Sequence, residues 1–195
     1  MITTEHIKAL RDKTGISIMQ CRQALEEAGG DMEKALVLLK KRSSEIATKK
    51  SERRLGSGVI GSYVHGGSIG AMVKLQCETD FVARNPEFKL LADDIAMHVS
   101  AMNPQFISDK AIPTTEMDQV RSAFMEETKG MDKPEEIKAK IVDGKVASYF
   151  KEKTLLDQPF VRTPEQSVAD IIKAGIQKFG ENIEVGGFSR IAVTE

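Results

Sequence analysis

A chain of 195 residues, 41% hydrophobic and 29% charged, has the composition of a globular protein and the length for one ordinary domain plus a small one. Its apolar runs are too short to span a bilayer, and Met1-Ile2-Thr3-Thr4-Glu5-His6 lacks the basic start and apolar stretch of a signal peptide. Cys21 and Cys77 are far apart and form no CxxC pair, so neither a metal site nor a disulfide framework is suggested and a reducing cytoplasm is the expected location.

The overall net charge of −1 hides an asymmetry. Residues 1–54 hold 12 Lys and Arg against 8 Asp and Glu, a net of +4, and the remainder holds 16 against 21, a net of −5. A basic head on an acidic body can steer a partner by charge, and an ordinary solvated surface accounts for the same numbers.

Taken in order, residues 4–14 predict a short helix with Ile7 and Leu10 inward. Ser17-Ile18-Met19-Gln20 reads as a capping box opening a second helix. Gly29-Gly30 stops that helix, and Asp31 caps a third, striped by Met32, Ala35, Leu36 and Leu39. Three helices in so few residues sit near the lower size limit for independent folding. Ile18 and Met19, at the turn after Gly15, either staple the helix start or face a partner.

Residues 43–57 show almost no apolar periodicity and are expected to form a charged tether, partly helical. Lys49, Lys50, Arg53 and Arg54 raise a nucleic-acid reading. No aromatic is interleaved for stacking and two glutamates dilute the charge, so a solvated linker is favoured and no direct nucleic-acid contact is expected. Gly56-Ser57-Gly58-Val59-Ile60-Gly61 spells GxGxxG, but a dinucleotide loop must follow a strand and open a helix, whereas here a β-pattern follows. The glycines are expected to ease the chain into a first strand near 58–65. His65-Gly66-Gly67-Ser68 then joins it to a second, near 69–78, as a hairpin.

In that second strand Ile69, Ala71, Val73, Leu75 and Cys77 share one face. Asn85, Pro86 and Glu87 suit a helix start, and Phe88, Leu91, Ala92, Ile95, Val99 and Met102 recur at helical spacing. The short turn between strand and helix carries Asp80 and Phe81. Spacing leaves two roles open for Phe81: folded back to seal the corner, as aromatics usually lie inward, or exposed as a wedge for a partner's pocket with Asp80 fixing its approach.

Further on, 114–152 predicts a helical hairpin, with Met117, Val120 and Phe124 on one arm and Ile137, Ile141, Val142, Tyr149 and Phe150 on the other. Thr163-Pro164-Glu165-Gln166 reads as a second capping box before a helix of Val168, Ile171, Ile172, Ile176 and Phe179, stopped by Gly180. Ile183, Val185, Ser189, Ile191 and Val193 alternate as a C-terminal strand. The expected fold class is α+β: a three-helix bundle (1–42), a charged linker (43–57), and a core (58–195) in which a three-stranded antiparallel sheet packs with helices and the hairpin. There is no GxSxG, no P-loop and no histidine constellation, so neither enzymatic chemistry nor a cofactor or metal is expected.

Thr79-Asp80-Phe81-Val82-Ala83-Arg84 resembles the core signature of the elongation factor Ts family. Leu10-Arg11-Asp12-Lys13-Thr14-Gly15, running on to Ala24-Leu25, resembles that family's N-terminal signature. The resemblance extends to Ile95-Ala96-Met97-His98, Gln158-Pro159-Phe160-Val161 and the end strand. It implies a guanine-nucleotide exchange factor for elongation factor Tu, with a head similar to the ubiquitin-associated fold docked on that GTPase. By motif, Arg11, Ile18, Met19 and Arg22 of the head would make that contact. Asp80, Phe81 and Val82 would reach the helices bordering the Mg²⁺–GDP site with Phe81 as the wedge, and His98 would meet the same partner. The chain looks like a short member, with one sheet-forming repeat where longer ones carry two, which implies a homodimer joined through the sheet. It departs from the family pattern at Gln20, Arg22, Gln23, Lys74 and Gln76. The three-helix head alone also fits a ubiquitin-associated-type binding adaptor without exchange activity.

Overall fold

The computed structural model describes residues 2–194. They form two compact units, one of residues up to Ser100 together with those from Ala169, the other Ala101–Val168.

The first unit opens with α1 (Thr4–Thr14), α2 (Ile18–Glu27) and α3 (Met32–Lys50). Each start is capped by the side chain before it: Thr3 accepts from His6 N, Ser17 from Gln20 N, and Asp31 from Lys34 N. Leu10, Ile16, Cys21, Ala24, Leu25, Ala35 and Leu39 close a small core, with Ile7, Met32 and Leu36 packed around it. The Gln20 side chain, expected to bond back to Ser17, instead accepts from Gln177 Nε2 at 3.3 Å.

Residues 43–50, expected in a tether, are the last two turns of α3. Their packing is polar, which is why no apolar stripe betrayed it. Ser43 is buried and donates to Leu39 O and Gln177 Oε1, while Lys40 pairs with Asp170 at 2.7 Å and Lys50 Nζ donates to Gly180 O at 2.5 Å.

A short link leads to β1 (Ser57–His65) and β2 (Ile69–Cys77), antiparallel and in register along their whole length. Gly66 and Gly67 have φ of +54° and +71°, the left-handed pair that a tight hairpin turn demands, and Ser68 N closes the turn on His65 O at 3.0 Å. Then come the single turn α4 (Asp80–Ala83) and α5 (Pro86–Met102), with Pro86 in its first position and Asn85 Oδ1 accepting from Glu87 N at 2.9 Å. After α8 (Val168–Phe179), β5 (Ile183–Ala192) joins the sheet antiparallel to β2, giving the order β1-β2-β5. The predicted α+β architecture is present.

Gly61 shows why the GxGxxG lookalike sits where it does. A Cβ there would lie 2.1 Å from Ala92 O, so the missing side chain is what lets α5 rest on β1. At β1's outer edge, Ser62 N donates to Asp93 Oδ1 at 2.8 Å, which covers one otherwise unpaired edge donor.

The regular alternation expected for the C-terminal strand is broken. Lys74 pairs with Gly187 but Leu75 with Val185, so Gly186 is an extra, bulged residue. The bulge inverts the phase. Ile183 and Val185 face the buried side, whereas Ile191 and Val193 stand exposed on the other, together with Ile60, Val64 and Met72.

The second unit is a helical hairpin, α6 (Thr114–Thr128) and α7 (Glu135–Lys153), followed by β3 (Pro159–Phe160) and β4 (Thr163–Ser167). Val142, Val146 and Phe150 form its core with Phe106, Met117, Val120, Phe124 and Tyr149 around them. The expected capping box at Thr163–Gln166 is not a helix start. That stretch is β4, paired with β3, and Val168 N donates to Gln158 O as the helix begins. Thr163, preceding Pro164, is steered to extended backbone, and a neighbouring strand is there to pair with it.

Candidate docking site at the strand-to-helix turn

α4 is one turn long, so it can bury only one side. Val82 and Ala83 take the inner positions, and Asp80 and Phe81 are left outside. Phe81 is 83% exposed, among the most exposed large apolar side chains of the described residues. The corner-sealing role is therefore filled by Val82, not by Phe81. Beside the ring, Asp80 and Arg84 pair at 3.0 Å, and a shallow depression of about 340 Å³ is lined by Asp80, Phe81, Arg84, Asn85 and Pro86.

The turn is held from below. Thr79 caps α4, accepting from Val82 N at 3.5 Å, and Ala83 N and Arg84 N close on Thr79 O and Asp80 O at 3.2 and 3.0 Å. Glu181, in the loop between α8 and β5, accepts from Glu78 N and Thr79 N, both at 3.0 Å, and from Thr79 Oγ1 at 2.5 Å. In return Glu78 Oε1 accepts from Asn182 N at 2.6 Å and lies 3.4 Å from Arg53 Nη1. Sequence reading missed Glu181, Asn182 and Glu78. The only trace is an acidic residue directly after the helix-stopping Gly180, and nothing linear ties it to a turn 102 positions away.

On the head, Ile18 and Met19 are 57% and 80% exposed in the first turn of α2, while the inner positions go to Cys21, Ala24 and Leu25. Arg22 is exposed and bonded to Glu26 at 2.8 Å. Arg11 is exposed in the last turn of α1, close enough for its charge to act on Cys21. Two of the expected contact residues are elsewhere. Val82 is buried, and His98 has no accessible surface because the end of α5 is enclosed at Ile95, Ala96, Val99 and Ser100 as well. Unlike Asp80, Phe81, Ile18 and Met19, neither lies at the surface of this chain.

Cys77 packs on the sheet's inner face with Sγ 3.2 Å from Thr79 O, and burial first, then the Glu181 charge, pushes its thiol up. Of the basic cluster at 49–54, Lys50 and Arg53 are engaged within the chain. Among the described residues, no group of three or more His, Cys, Asp or Glu is placed to hold a metal, and no helix is long and apolar enough to cross a membrane.

Fold and site together define an α+β chain that carries exposed apolar side chains on a three-helix bundle and on a rigidly held strand-to-helix turn. A family profile described as Elongation factor TS matches residues 39–195. Over its whole length the chain is similar to elongation factor Ts of Thermosipho melanesiensis, 44% identical with 100% of each chain covered. It is also similar to that of Thermodesulfovibrio yellowstonii, 45% identical over 98% of this chain and 96% of the relative. With Desulfotalea psychrophila the figures are 41% identity and 98% of each. The chain belongs to the elongation factor Ts family and is a translation elongation factor.

Proposed function

We propose that the protein is a cytoplasmic guanine-nucleotide exchange factor for elongation factor Tu and that it accelerates GDP release by seating Phe81 between partner helices near the Mg²⁺–GDP site. Family membership supports the exchange role, and the observation that carries the wedge is a phenylalanine 83% exposed on a turn clamped from beneath. Asp80, paired with Arg84, flanks the ring, and Arg11, Ile18, Met19 and Arg22 of the head supply the second contact.

Such exchange is not enzymatic and needs no bond-making group. Coupling is reciprocal: a factor that weakens GDP is weakened equally by GDP. A gain of roughly 10⁴ in release requires about 5.5 kcal/mol of differential contact. Burying one aromatic gives about 1.5–3 kcal/mol, so Phe81 needs the head to share the task. The test is release of labelled GDP from elongation factor Tu. Phe81→Ala is expected to slow stimulated release roughly ten- to a hundredfold. Since the ring touches little of its own chain, stability should move by less than about 0.5 kcal/mol. Equal release with variant and parent would reject the wedge.

We further propose a homodimer through the outer face of the sheet, where Ile60, Val64, Met72, Ile191 and Val193 form an exposed apolar patch supporting that reading.

A further inference from the structure

We infer that Glu181 is the positioning residue of the Phe81 turn: its carboxylate, not the helix α4 itself, holds the ring in its presenting orientation. The inference rests on the exchange reading above. Glu78 and Thr79 lie just past Cys77↔Ile183, the last pair of the sheet, so their amides have no strand partner. A four-residue helix cannot hold itself, because nucleating one turn fixes several dihedrals for one hydrogen bond. The Glu181 carboxylate supplies what sheet and helix do not. Oε2 takes both amides at 3.0 Å, and Oε1 takes the Thr79 hydroxyl at 2.5 Å, so the capping residue of α4 is gripped at backbone and side chain. These are bonds to an ionised acceptor, the stronger kind.

The clasp is also reciprocal. Glu181 binds the backbone of the turn, and Glu78 from the turn binds the backbone of the Glu181 loop through Asn182 N at 2.6 Å. Asn182 Nδ2 donates onward to Arg53 O at 3.3 Å and Lys50 Nζ donates to Gly180 O at 2.5 Å, so the same three-residue loop holds the segment descending from the head. Glu181 itself faces no partner in this scheme and acts only through Glu78 and Thr79.

A positioning role differs from a merely structural one in where the loss is felt. Glu181→Ala is expected to slow stimulated GDP release about tenfold in the parent. In a Phe81→Ala background it should change release by less than about twofold, because no ring remains to be placed. Hydrogen exchange at the amides of residues 78 and 79 should rise at least tenfold while that of the β1–β2 hairpin is unchanged. Glu181→Asp, which keeps the charge but retracts the carboxylate, should show the same losses in smaller measure, and it serves if the alanine variant does not fold. An equal loss in both backgrounds, or unchanged release in the parent, overturns the inference. If Phe81→Ala alone leaves release unaltered, the wedge reading fails and amide exchange decides the clasp by itself: protection at 78 and 79 that survives in Glu181→Ala overturns it.

Discussion

Phe81 and Val82 are adjacent apolar residues with opposite fates, and a single helical turn accounts for both. One side of that turn rests on the body of the protein, so one neighbour is inside and the other outside. Composition and hydropathy treat the two alike, and spacing left the direction of Phe81 open. His98 shows the converse. A polar residue reads as surface, yet it lies where α5 is enclosed on nearly every side. Cys77 was legible from its place in an apolar stripe, whereas no stripe was read for Cys21, and both are buried. Burial pushes each thiol above its usual 9.0, with Thr14 and Arg11 partly opposing at Cys21. Iodoacetamide at pH 8 should therefore leave the folded protein unlabelled and modify both thiols in urea. The linkage sign follows. The unfolded thiol ionises first, so the protection that these groups lend is complete below about pH 9 and declines above it, visible as a falling urea midpoint.

At the scale of elements, the starts and stops of the helices were the most legible features, because capping is local chemistry. Ser17, Asp31, Asn85 and Gly180 all act where a side chain or a glycine must. What could not be read locally was set by partners distant in the chain. The last turns of α3 are held by Gln177 and Gly180, and Thr163–Ser167 pairs as a strand with Pro159–Phe160 instead of capping a helix. The bulge at Gly186 is likewise invisible as periodicity, since an extra residue is defined only against the facing strand. Gly61 gives this scale its sharpest test. Adding one methyl places a carbon 2.1 Å from a carbonyl oxygen of α5, and backbone cannot swing aside as a side chain can. Gly61→Ala should cost about 3 kcal/mol in urea unfolding, whereas Gly66→Ala, at an open turn with φ +54°, should cost only its backbone strain, about 1 kcal/mol.

For the molecule as a whole, the α+β class and the three-stranded sheet were both legible, because a hairpin signal and a late alternating strand leave few topologies. The apolar patch on the sheet's outer face was not, for it exists only once the bulge has turned Ile191 and Val193 outward. Met72→Asp and Ile191→Asp place charge on that patch without touching the helix-covered side. Sedimentation should show the parent as a dimer and either variant as a monomer with unaltered circular dichroism, while a monomeric parent would remove the dimer reading.

α3 runs unbroken from the head's core to Lys50 and is tied down along the way at Lys40, Ser43 and Lys50. A head on a floppy string would search a wide volume after the first contact formed, and its local concentration at the second would fall as the string lengthened. A stiff stem abolishes that search. In the proposed docking the second grip follows the first with little entropic penalty, and the stem that links the two contacts is a helix that touches neither.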